Sequence, residues 1–309
     1  MRNAFNDALT GVARKDESLV LLVGDIGFRV FDDFREEFPD RFYNVGIAEA
    51  NMIGVAAGLA MSGMKPVVYT IIPFLVMRAF EQIRVDLCIQ DLPVILVGVG
   101  GGLSYDTLGP THHAIEDLAI MRSLPNMQVL TPCDPQEVLL TFEEGFHNDS
   151  PTYLRLGKGG EDNLLTKDLL NERVFNMYKM IKSGVDALFI CHGPILKEVQ
   201  NAVEILSKNY NCAIISVHSL KPFNEQELID RIKRYKFLIT VEEHSVIGGL
   251  GSIVSEIIAK NNINSQLSII GIPDVVTNII GKRDYLLAHH KMDAVNIARR
   301  TNLFLTKEN

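Results

Sequence analysis

Short apolar runs alternate with amphipathic segments along the first half of the chain. The runs are rich in Val, Ile and Leu and end at Gly, Asp or Pro, which is typical of strands buried on both faces of a parallel sheet. Between the runs, apolar residues recur at helical spacing. The predicted strands cover residues 18–23, 65–69, 94–99 and 128–131, and the predicted helices cover residues 48–61 and 78–90. The pattern therefore predicts βαβ units in an α/β domain.

The periodic pattern stops between residues 163 and 180, where the sequence becomes polar, as linkers between domains do. It then resumes. The predicted strands of this second part cover residues 187–191, 212–217 and 237–240, and the helices cover 195–209, 224–235 and 251–260. We therefore expect a first domain over residues 1–165, a linker over 166–180 and a smaller α/β domain over 181–309.

Composition and charge exclude several classes of protein. The 309 residues suit about two domains. The net charge of −8, from 30 Lys and Arg against 38 Asp and Glu, disfavours nucleic-acid binding. The apolar run over residues 92–103 is shorter than the about 20 residues that span a bilayer, and residues 1–10 lack the apolar run of a secretory signal. We expect a protein that binds neither nucleic acid nor a membrane.

The four cysteines lie far apart in the sequence, and none of them belongs to a CxxC pair or to a Cys/His cluster at metal-ligand spacing. This usage fits a reducing compartment, so we expect a cytoplasmic protein. The same spacing predicts no metal site built from this chain's own residues.

A single carboxylate, Glu49, enters a helix that is otherwise built of small apolar residues. A buried carboxylate without a cationic partner is costly, and residues of this kind are often proton donors or acceptors. Alternatively, Glu49 lies in the first turn of the helix, faces water and interacts with the helix dipole. The local pattern leaves both interpretations open.

Two further segments carry candidate chemistry. His112 follows a Gly-Pro turn just before a predicted helix, where an imidazole can reach a ligand or simply cap the helix. The segment Gly248-Gly-Leu-Gly251 follows a strand and precedes a helix, so it could hold a phosphate or allow close packing of the helix on the sheet. Packing is the simpler interpretation, because the segment matches neither the dinucleotide-binding fingerprint nor the Walker pattern with its Lys.

Two arginines are candidate anion ligands. Arg2 begins the first helix, and Arg155 lies near a strand end, where a guanidinium could clamp an anionic substrate with two hydrogen bonds. Either residue could instead lie at the protein surface with no ligand.

Five segments in register make the chain resemble the C-terminal half of transketolase and, slightly less closely, of 1-deoxyxylulose-5-phosphate synthase. Both are thiamine-diphosphate enzymes, and the resemblance covers nearly the whole chain. The segments are Glu37-Phe-Pro-Asp-Arg-Phe42, Val45-Gly-Ile-Ala-Glu-Ala50 with Ala56-Ala-Gly-Leu-Ala60, Gly109-Pro-Thr-His112, Leu124-Pro-Asn-Met127 and Val241-Glu-Glu-His-Ser-Val-Ile-Gly-Gly-Leu-Gly-Ser252. The resemblance implies a pyrimidine-binding domain followed by a transketolase C-terminal domain.

The resemblance also implies a cofactor and residues that hold it. In that family, the Glu at the position of Glu49 shares a proton with the aminopyrimidine ring of thiamine diphosphate and thereby activates the cofactor. Residues at the positions of Phe74, Met77 and Phe80 stack against the same ring. Asp25 and Ile26 match the part of this domain that lines the cofactor cavity.

For the substrate, the resemblance implies ketol transfer. His112 matches a histidine that contacts a substrate hydroxyl, and Arg2 and Arg155 match two arginines that bind the sugar phosphate. Arg78 lies near the position of a phosphate-binding Arg in deoxyxylulose-phosphate synthases, and Arg29 replaces a phosphate-site Ser. We expect a two-carbon ketol unit to pass from a ketose, phosphorylated or otherwise activated, to an aldose.

Several departures from the family pattern predict a rebuilt acceptor pocket. Transketolases commonly carry Glu-Asp where this chain has Thr107-Leu108, and Leu108 cannot make the hydrogen bond of that Asp to a sugar hydroxyl. A position that often holds a phosphate-binding His is Gly100 here. We therefore expect that a modified or nucleotide-linked sugar could replace a simple sugar phosphate.

Family members need a further domain, with Gly-Asp-Gly and a downstream Asn, to bind Mg²⁺ (or Ca²⁺) and the diphosphate. The nearest string here is Gly24-Asp25-Ile26, and it lacks that Asn. The resemblance thus implies a split enzyme in which a separate N-terminal subunit supplies the diphosphate and metal site. An α₂β₂ heterotetramer is the expected closed assembly.

Three alternative functions remain open from the sequence alone. The beta chain of a 2-oxoacid dehydrogenase shares the pyrimidine domain, the split architecture and the catalytic Glu, although Gly109-Pro-Thr-His112 and Leu124-Pro-Asn-Met127 favour transketolase. A deoxyxylulose-phosphate-synthase-like enzyme is the second alternative. The third, from another class, is a non-catalytic scaffold subunit, against which the retained Glu49 argues.

Overall fold

The computed structural model describes residues 1–166 and 178–306, which form two sheets flanked by helices. The first sheet has the order β10-β5-β6-β4-β3-β1-β2, and all its neighbouring pairs are parallel except β10 with β5. Its strands are β1 (Leu19–Val23), β2 (Phe42–Asn44), β3 (Lys65–Ile71), β4 (Ile95–Val99), β5 (Gln128–Leu130), β6 (Thr152–Leu156) and β10 (Ser219–Lys221). Strands β1, β4 and β6 are buried along their whole length, as their apolar runs predict.

The second sheet has the order β12-β11-β8-β9-β7, with only β7 antiparallel to its neighbour among these pairs. Its strands are β7 (Tyr178–Lys182), β8 (Ala187–Cys191), β9 (Cys212–Val217), β11 (Phe237–Ser245) and β12 (Gln266–Ile272). The α/β fold class predicted for both parts of the chain is therefore confirmed.

Helices pack on the sheets with their apolar sides inward. In the first part of the chain they are α1 (Arg2–Ala13), α2 (Asp32–Glu37), α3 (Glu49–Met61), α4 (Ile72–Arg78), α5 (Phe80–Gln82), α6 (Asp117–Arg122) and α7 (Pro135–Phe146). In the second they are α8 (Leu196–Leu206), α9 (Glu225–Ile232), α10 (Leu250–Lys260), α11 (Arg283–His289) and α12 (Ala294–Thr306). None of these helices has the length and apolar character needed to cross a bilayer.

The helix predicted over residues 78–90 is confirmed as helical over residues 80–88, but its predicted start and regularity are not. Helix α4 starts earlier, directly after β3, with Pro73 in its first turn, and it ends at Arg78. Ala79 then leaves helical geometry, and the chain continues as α5 and a π-helical segment (Ile83–Cys88). The run before Arg78 is almost entirely apolar, so it shows no amphipathic period from which the helix start could be read.

The two parts of the chain share one sheet. Strand β10 follows β9 of the second part, yet it pairs with β5 of the first, with Ser219 opposite Leu130. The Thr131 amide also donates to the His218 carbonyl (2.7 Å). The second part is therefore tied to the first by backbone hydrogen bonds as well as by side-chain packing.

The predicted linker needs one correction. Residues 178–180, which the sequence places in the linker, form the start of β7, because they pair with β9 at the edge of the second sheet. The remaining linker residues from 167 to 177 lie outside the described residues.

Candidate active site

Most of the predicted site residues follow strands of the first sheet. Parallel strands bring their carboxyl ends to one edge, where ligands of α/β proteins commonly bind. The segments at this edge are residues 24–29 after β1, 45–49 after β2, 72–78 after β3, 100–112 after β4 and 157–161 after β6. The topology therefore explains how residues more than a hundred positions apart reach one site.

Glu49 is a buried carboxylate at the first residue of α3, with only 3% of its side chain exposed. The structure thus contradicts the interpretation in which Glu49 faces water. Its oxygens accept hydrogen bonds from Nη1 of Arg78 at 3.1 and 3.3 Å. The helix N-terminus and this guanidinium therefore both bring positive charge close to the carboxylate.

Phe74 provides an aromatic face beside Glu49. The guanidinium carbon of Arg78 lies 4.1 Å from the centre of the Phe74 ring, and Phe74 and Arg78 are one helical turn apart on α4. A planar group that carries N–H donors therefore stacks on Phe74 and binds Glu49 at the same time.

His112 also contacts Phe74. Their ring centres are 5.1 Å apart in an edge-to-face arrangement. Partial burial, the neighbouring His113 and the charge of Arg78 lower the pKa of His112 below its usual value, so its ring is neutral near pH 7. Its Nδ1 lies 2.9 Å from the Thr111 hydroxyl, and the other ring nitrogen can take part in a hydrogen bond to a ligand.

Tyr105 fills the space above Gly100. A Cβ atom on Gly100 would lie 2.1 Å from the Tyr105 ring, and the Gly100 backbone has a φ of +93°. Any side chain at this position, including the histidine that relatives often carry, would displace the tyrosine. The ring centre of Tyr105 is 5.8 Å from that of His112. The Tyr105 ring therefore occupies the space that a side chain at position 100 would need.

A cavity of about 820 Å³ is lined by the sequence neighbours of Tyr105, Ser104 and Asp106, and also by Arg2 and Lys158. The Lys158 ammonium lies 5.3 Å from the Tyr105 ring centre and 3.6 Å from Asp106 Oδ1. Burial raises the pKa of Tyr105 to about 12, while the nearby Arg2 charge opposes that rise. Arg2 and Lys158 therefore bring positive charge to the same tyrosine.

Lys158 is a candidate that the sequence did not single out. It lies two residues after the end of β6, at the edge where the other site residues gather. Its position in Gly157-Lys-Gly159 is the sequence feature that could have identified it as a site residue. Glycines on either side have no side chains that would crowd the lysine.

Arg155 has a different environment from the one predicted. Its Nε and Nη2 donate to the Asp117 carboxylate at 2.8 and 3.1 Å, and Nη2 also donates to the carbonyls of Ala114 and Glu243. Only 5% of the residue is exposed. Because strand β6 is buried on both faces, this guanidinium is bound within the protein. The predicted substrate clamp at Arg155 is therefore wrong.

The turn after β1 carries Asp25, Ile26 and Arg29. Asp25 and Arg29 both have left-handed backbone angles, with φ of +53° and +65°. Asn44 at the end of β2 donates from Nδ2 to Asp25 Oδ1 (3.0 Å) and accepts from the Asp25 amide (3.1 Å). Asp25 and Arg29 are exposed and Ile26 is half-buried, so this turn lines the same edge of the sheet.

Met77 and Phe80 do not share one continuous helix face with Phe74. Met77 is 45% exposed on α4, whereas Phe80 lies beyond the break at Ala79 and packs against the apolar core. Among the predicted stacking residues, Phe74 is the one in contact with both Arg78 and His112.

The glycine-rich segment before α10 is a packing feature. The Glu242 carboxylate accepts hydrogen bonds from the amides of Leu250 (2.7 Å) and Gly251 (2.8 Å) at the start of this helix. A Cβ on Gly251 would lie 2.6 Å from Ile269. The helix N-terminus therefore binds the protein's own carboxylate, and its glycine allows contact with the sheet.

The residues around Glu49 fit the aminopyrimidine part of thiamine diphosphate. That ring is planar and offers N–H groups and a basic ring nitrogen, so it needs an aromatic face and a carboxylate. Phe74 and Glu49 supply both groups, as the planar Arg78 guanidinium demonstrates by using them together. Within residues 1–166 and 178–306, no three His, Cys, Asp or Glu side chains are grouped so that they could hold a metal ion.

Comparisons with known proteins agree with the fold. The family model described as "Transketolase, pyrimidine binding domain" matches residues 1–160, and "Transketolase, C-terminal domain" matches residues 177–297. The solved structure described as "Split gene transketolase, inactive beta4 tetramer" has a TM-score of 0.87 and 31% sequence identity. That match covers 100% of this chain and 98% of the other.

Two curated relatives are similar along nearly their full lengths. A putative transketolase C-terminal section from Methanocaldococcus jannaschii is 36% identical, with 100% of this chain and 97% of the relative covered. One of the subunits of an apulose-4-phosphate transketolase from Phocaeicola vulgatus is 32% identical, with 99% of this chain and 97% of the relative covered. The chain therefore belongs to the transketolase family, whose enzymes depend on thiamine diphosphate.

Proposed function

We propose that this chain is the C-terminal subunit of a two-chain transketolase, which transfers a two-carbon ketol unit from a ketose to an aldose. One observation carries the proposal: a buried carboxylate, Glu49, lies at the ligand-binding edge of the sheet close to the Phe74 ring, which also contacts the His112 imidazole. A scaffold subunit has no need of a carboxylate kept out of water at this edge.

Glu49 and Phe74 hold the aminopyrimidine of thiamine diphosphate in this proposal, with Asp25, Ile26 and Met77 at the rim of the same site. When bound, the cofactor supplies a carbon nucleophile and stores the electron pair of the broken C–C bond. The partner subunit holds the diphosphate with Mg²⁺ or Ca²⁺. Phe80, which packs on the core, supports the end of α4 from behind.

Each of the chain's own groups has a defined task. Glu49 holds a proton at a ring nitrogen of the pyrimidine, and its burial excludes water that would compete for that proton. Phe74 fixes the plane of the ring. His112, neutral near pH 7, orients a substrate hydroxyl through the ring nitrogen that faces away from Thr111. In this proposal, the rate of ketol transfer depends on where the pyrimidine ring and its proton are held. It depends less on how many charged groups surround the site.

The cavity beside Tyr105 suits an anionic end of the sugar. Arg2 and Lys158 approach it from α1 and from the β6 end, and both bring positive charge close to the Tyr105 ring. Leu108 is 49% exposed where relatives carry an Asp, which favours a less hydroxylated or a modified sugar. Arg29 and Arg78 remain candidate contacts with a substrate anion.

An N-terminal subunit is the proposed partner, in an α₂β₂ assembly. Support comes from relatives whose names describe one subunit of a transketolase and a transketolase C-terminal section, and from the solved split-gene transketolase. The four cysteines are all unpaired and buried, which supports a reducing, cytoplasmic location.

Reconstitution tests the proposed function. We expect this chain, mixed with an N-terminal transketolase subunit, thiamine diphosphate and Mg²⁺, to transfer two carbons from a phosphorylated ketose to an aldose phosphate, and to be inactive alone. Pyruvate serves as the comparison substrate. Decarboxylation of pyruvate without any transfer from a ketose would contradict the proposal and favour a 2-oxoacid dehydrogenase.

Replacing Lys158 by Ala should raise the KM for a phosphorylated ketose at least tenfold. A charge-assisted hydrogen bond is worth about 1.5–3 kcal/mol, and this one would be lost in both the ground state and the transition state. Steady-state kinetics with phosphorylated and unphosphorylated ketoses measures the effect. Lys15→Ala, at a 77% exposed lysine near the end of α1, is the matched control. An equal loss with both substrates would show that Lys158 does not bind the phosphate.

A further inference from the structure

Arg78 lies at the centre of the proposed cofactor site. Its guanidinium stacks on the Phe74 ring at 4.1 Å and donates to the Glu49 carboxylate at 3.1 and 3.3 Å. The side chain is 48% exposed, whereas Glu49 is buried. The arginine therefore reaches from the end of α4 into the site with one side open to solvent.

These two contacts are of the kind that the aminopyrimidine needs. Both groups are planar, both stack on an aromatic face and both present N–H donors to a carboxylate. Glu49 and the exposed face of Phe74 cannot serve two such groups in one place. We infer that Arg78 is a displaceable occupant of the aminopyrimidine position, which binds Glu49 until the cofactor arrives and then turns away from Glu49.

The surroundings of Arg78 explain why it can leave. It is the last residue of α4, and the helix geometry breaks at Ala79, so its side chain can turn without crossing a neighbouring helical turn. Because Arg78 is half exposed, water replaces its contacts as it leaves, and opening costs less than breaking a fully buried ion pair. Glu49, in contrast, is fixed in the first turn of α3 and needs a cation or a hydrogen-bond donor in either state.

This arrangement has a consequence for cofactor binding. The pyrimidine must compete with Arg78 for Glu49. Its apparent affinity for this chain is therefore its intrinsic affinity multiplied by the fraction of molecules in which the site is open. The diphosphate contacts proposed for the partner subunit would supply the missing affinity. Arg78 thus makes cofactor binding depend on assembly, an inference that rests on the proposed function.

The test uses the full chain and a probe that contacts this chain alone, 4-amino-5-hydroxymethyl-2-methylpyrimidine. We expect Arg78→Ala to bind the probe about tenfold more tightly than the wild type, which corresponds to ~1.4 kcal/mol. Arg78→Lys, which keeps the charge and loses the planar group, should gain about threefold. Arg84→Ala, at an arginine on the following π-helical segment, is the matched control and should not change the affinity. Calorimetry or ligand-observed NMR measures binding.

A double-mutant cycle separates competition for Glu49 from simple crowding. In a Glu49→Gln background, the gain from Arg78→Ala should fall below twofold, because the arginine no longer has an anion to bind. A persistent tenfold gain there would overturn the inference, as would unchanged, weaker or undetectable probe binding in Arg78→Ala. Since the probe is never turned over, failure of ketol transfer in the reconstituted pair would leave this readout unaffected.

Discussion

Glu49→Gln is expected to lower the ketol-transfer rate of the reconstituted enzyme at least a hundredfold while leaving its assembly intact. Glutamine keeps the shape of the side chain but cannot hold the proton that a carboxylate shares with the pyrimidine ring. Positioned acid–base groups contribute about 10²–10⁴-fold to rates. Turnover at saturating thiamine diphosphate and Mg²⁺ measures the loss, and size-exclusion chromatography measures the assembly.

Glu36→Gln is the matched control, because Glu36 is an exposed carboxylate on α2 of the same domain. It should retain the wild-type rate. If Glu49→Gln also turned over at the wild-type rate, the proposed role of this carboxylate would have to be abandoned, and the scaffold hypothesis would regain support.

Arg155→Met is expected to lower the free energy of unfolding by about 3–5 kcal/mol. The substitution leaves Asp117 buried without its cation, and breaking a buried pair by removing one partner costs roughly this much. Tyr153 and the Ala114 and Glu243 carbonyls belong to the same hydrogen-bonded group, so several interactions weaken together. Denaturant unfolding monitored by circular dichroism measures the change.

The exposed pair between Arg14 and Glu37 gives a matched comparison. Its geometry is as good, with hydrogen bonds of 2.7 and 2.8 Å, but its side chains are 61% and 37% exposed. Arg14→Met should therefore cost no more than about 1 kcal/mol. The opposite pattern, a stable Arg155→Met whose only defect is a raised KM for phosphorylated substrates, would restore the substrate clamp expected from the sequence.

The environments of Arg155 and Lys158, near the end of β6, could not be predicted from the sequence. A strand that is buried on both faces offers no alternation from which the direction of Arg155 could be read, so a clamp and a buried ion pair look alike. Its partner Asp117 comes from α6, and only the tertiary structure joins them. Lys158 was missed because its one local signal, a glycine on either side, does not show which groups the side chain faces.

Other features were accessible because their signals are local. The strands follow from uninterrupted Val, Ile and Leu runs, and the α/β class follows from their alternation with helices. Glu49 was conspicuous as a carboxylate among small apolar residues, and the structure buries it. The early start of α4 was inaccessible, because an all-apolar stretch hides helical periodicity.

Gly100 is a position where one feature could be predicted from the sequence and another could not. The resemblance identified a missing imidazole there, but the sequence could not indicate what fills its place. The structure brings in the Tyr105 ring from five residues further on. A compensation of this kind depends on the path of the loop after β4, which no periodic pattern encodes.

Strand β10 has a consequence for how this chain can be divided. It covers the edge of β5, so a fragment ending in the predicted linker would leave the backbone amides and carbonyls of β5 open to pairing with other chains. We therefore expect the two parts to fold as one unit, and a cut between them to leave the first part prone to association through its open sheet edge.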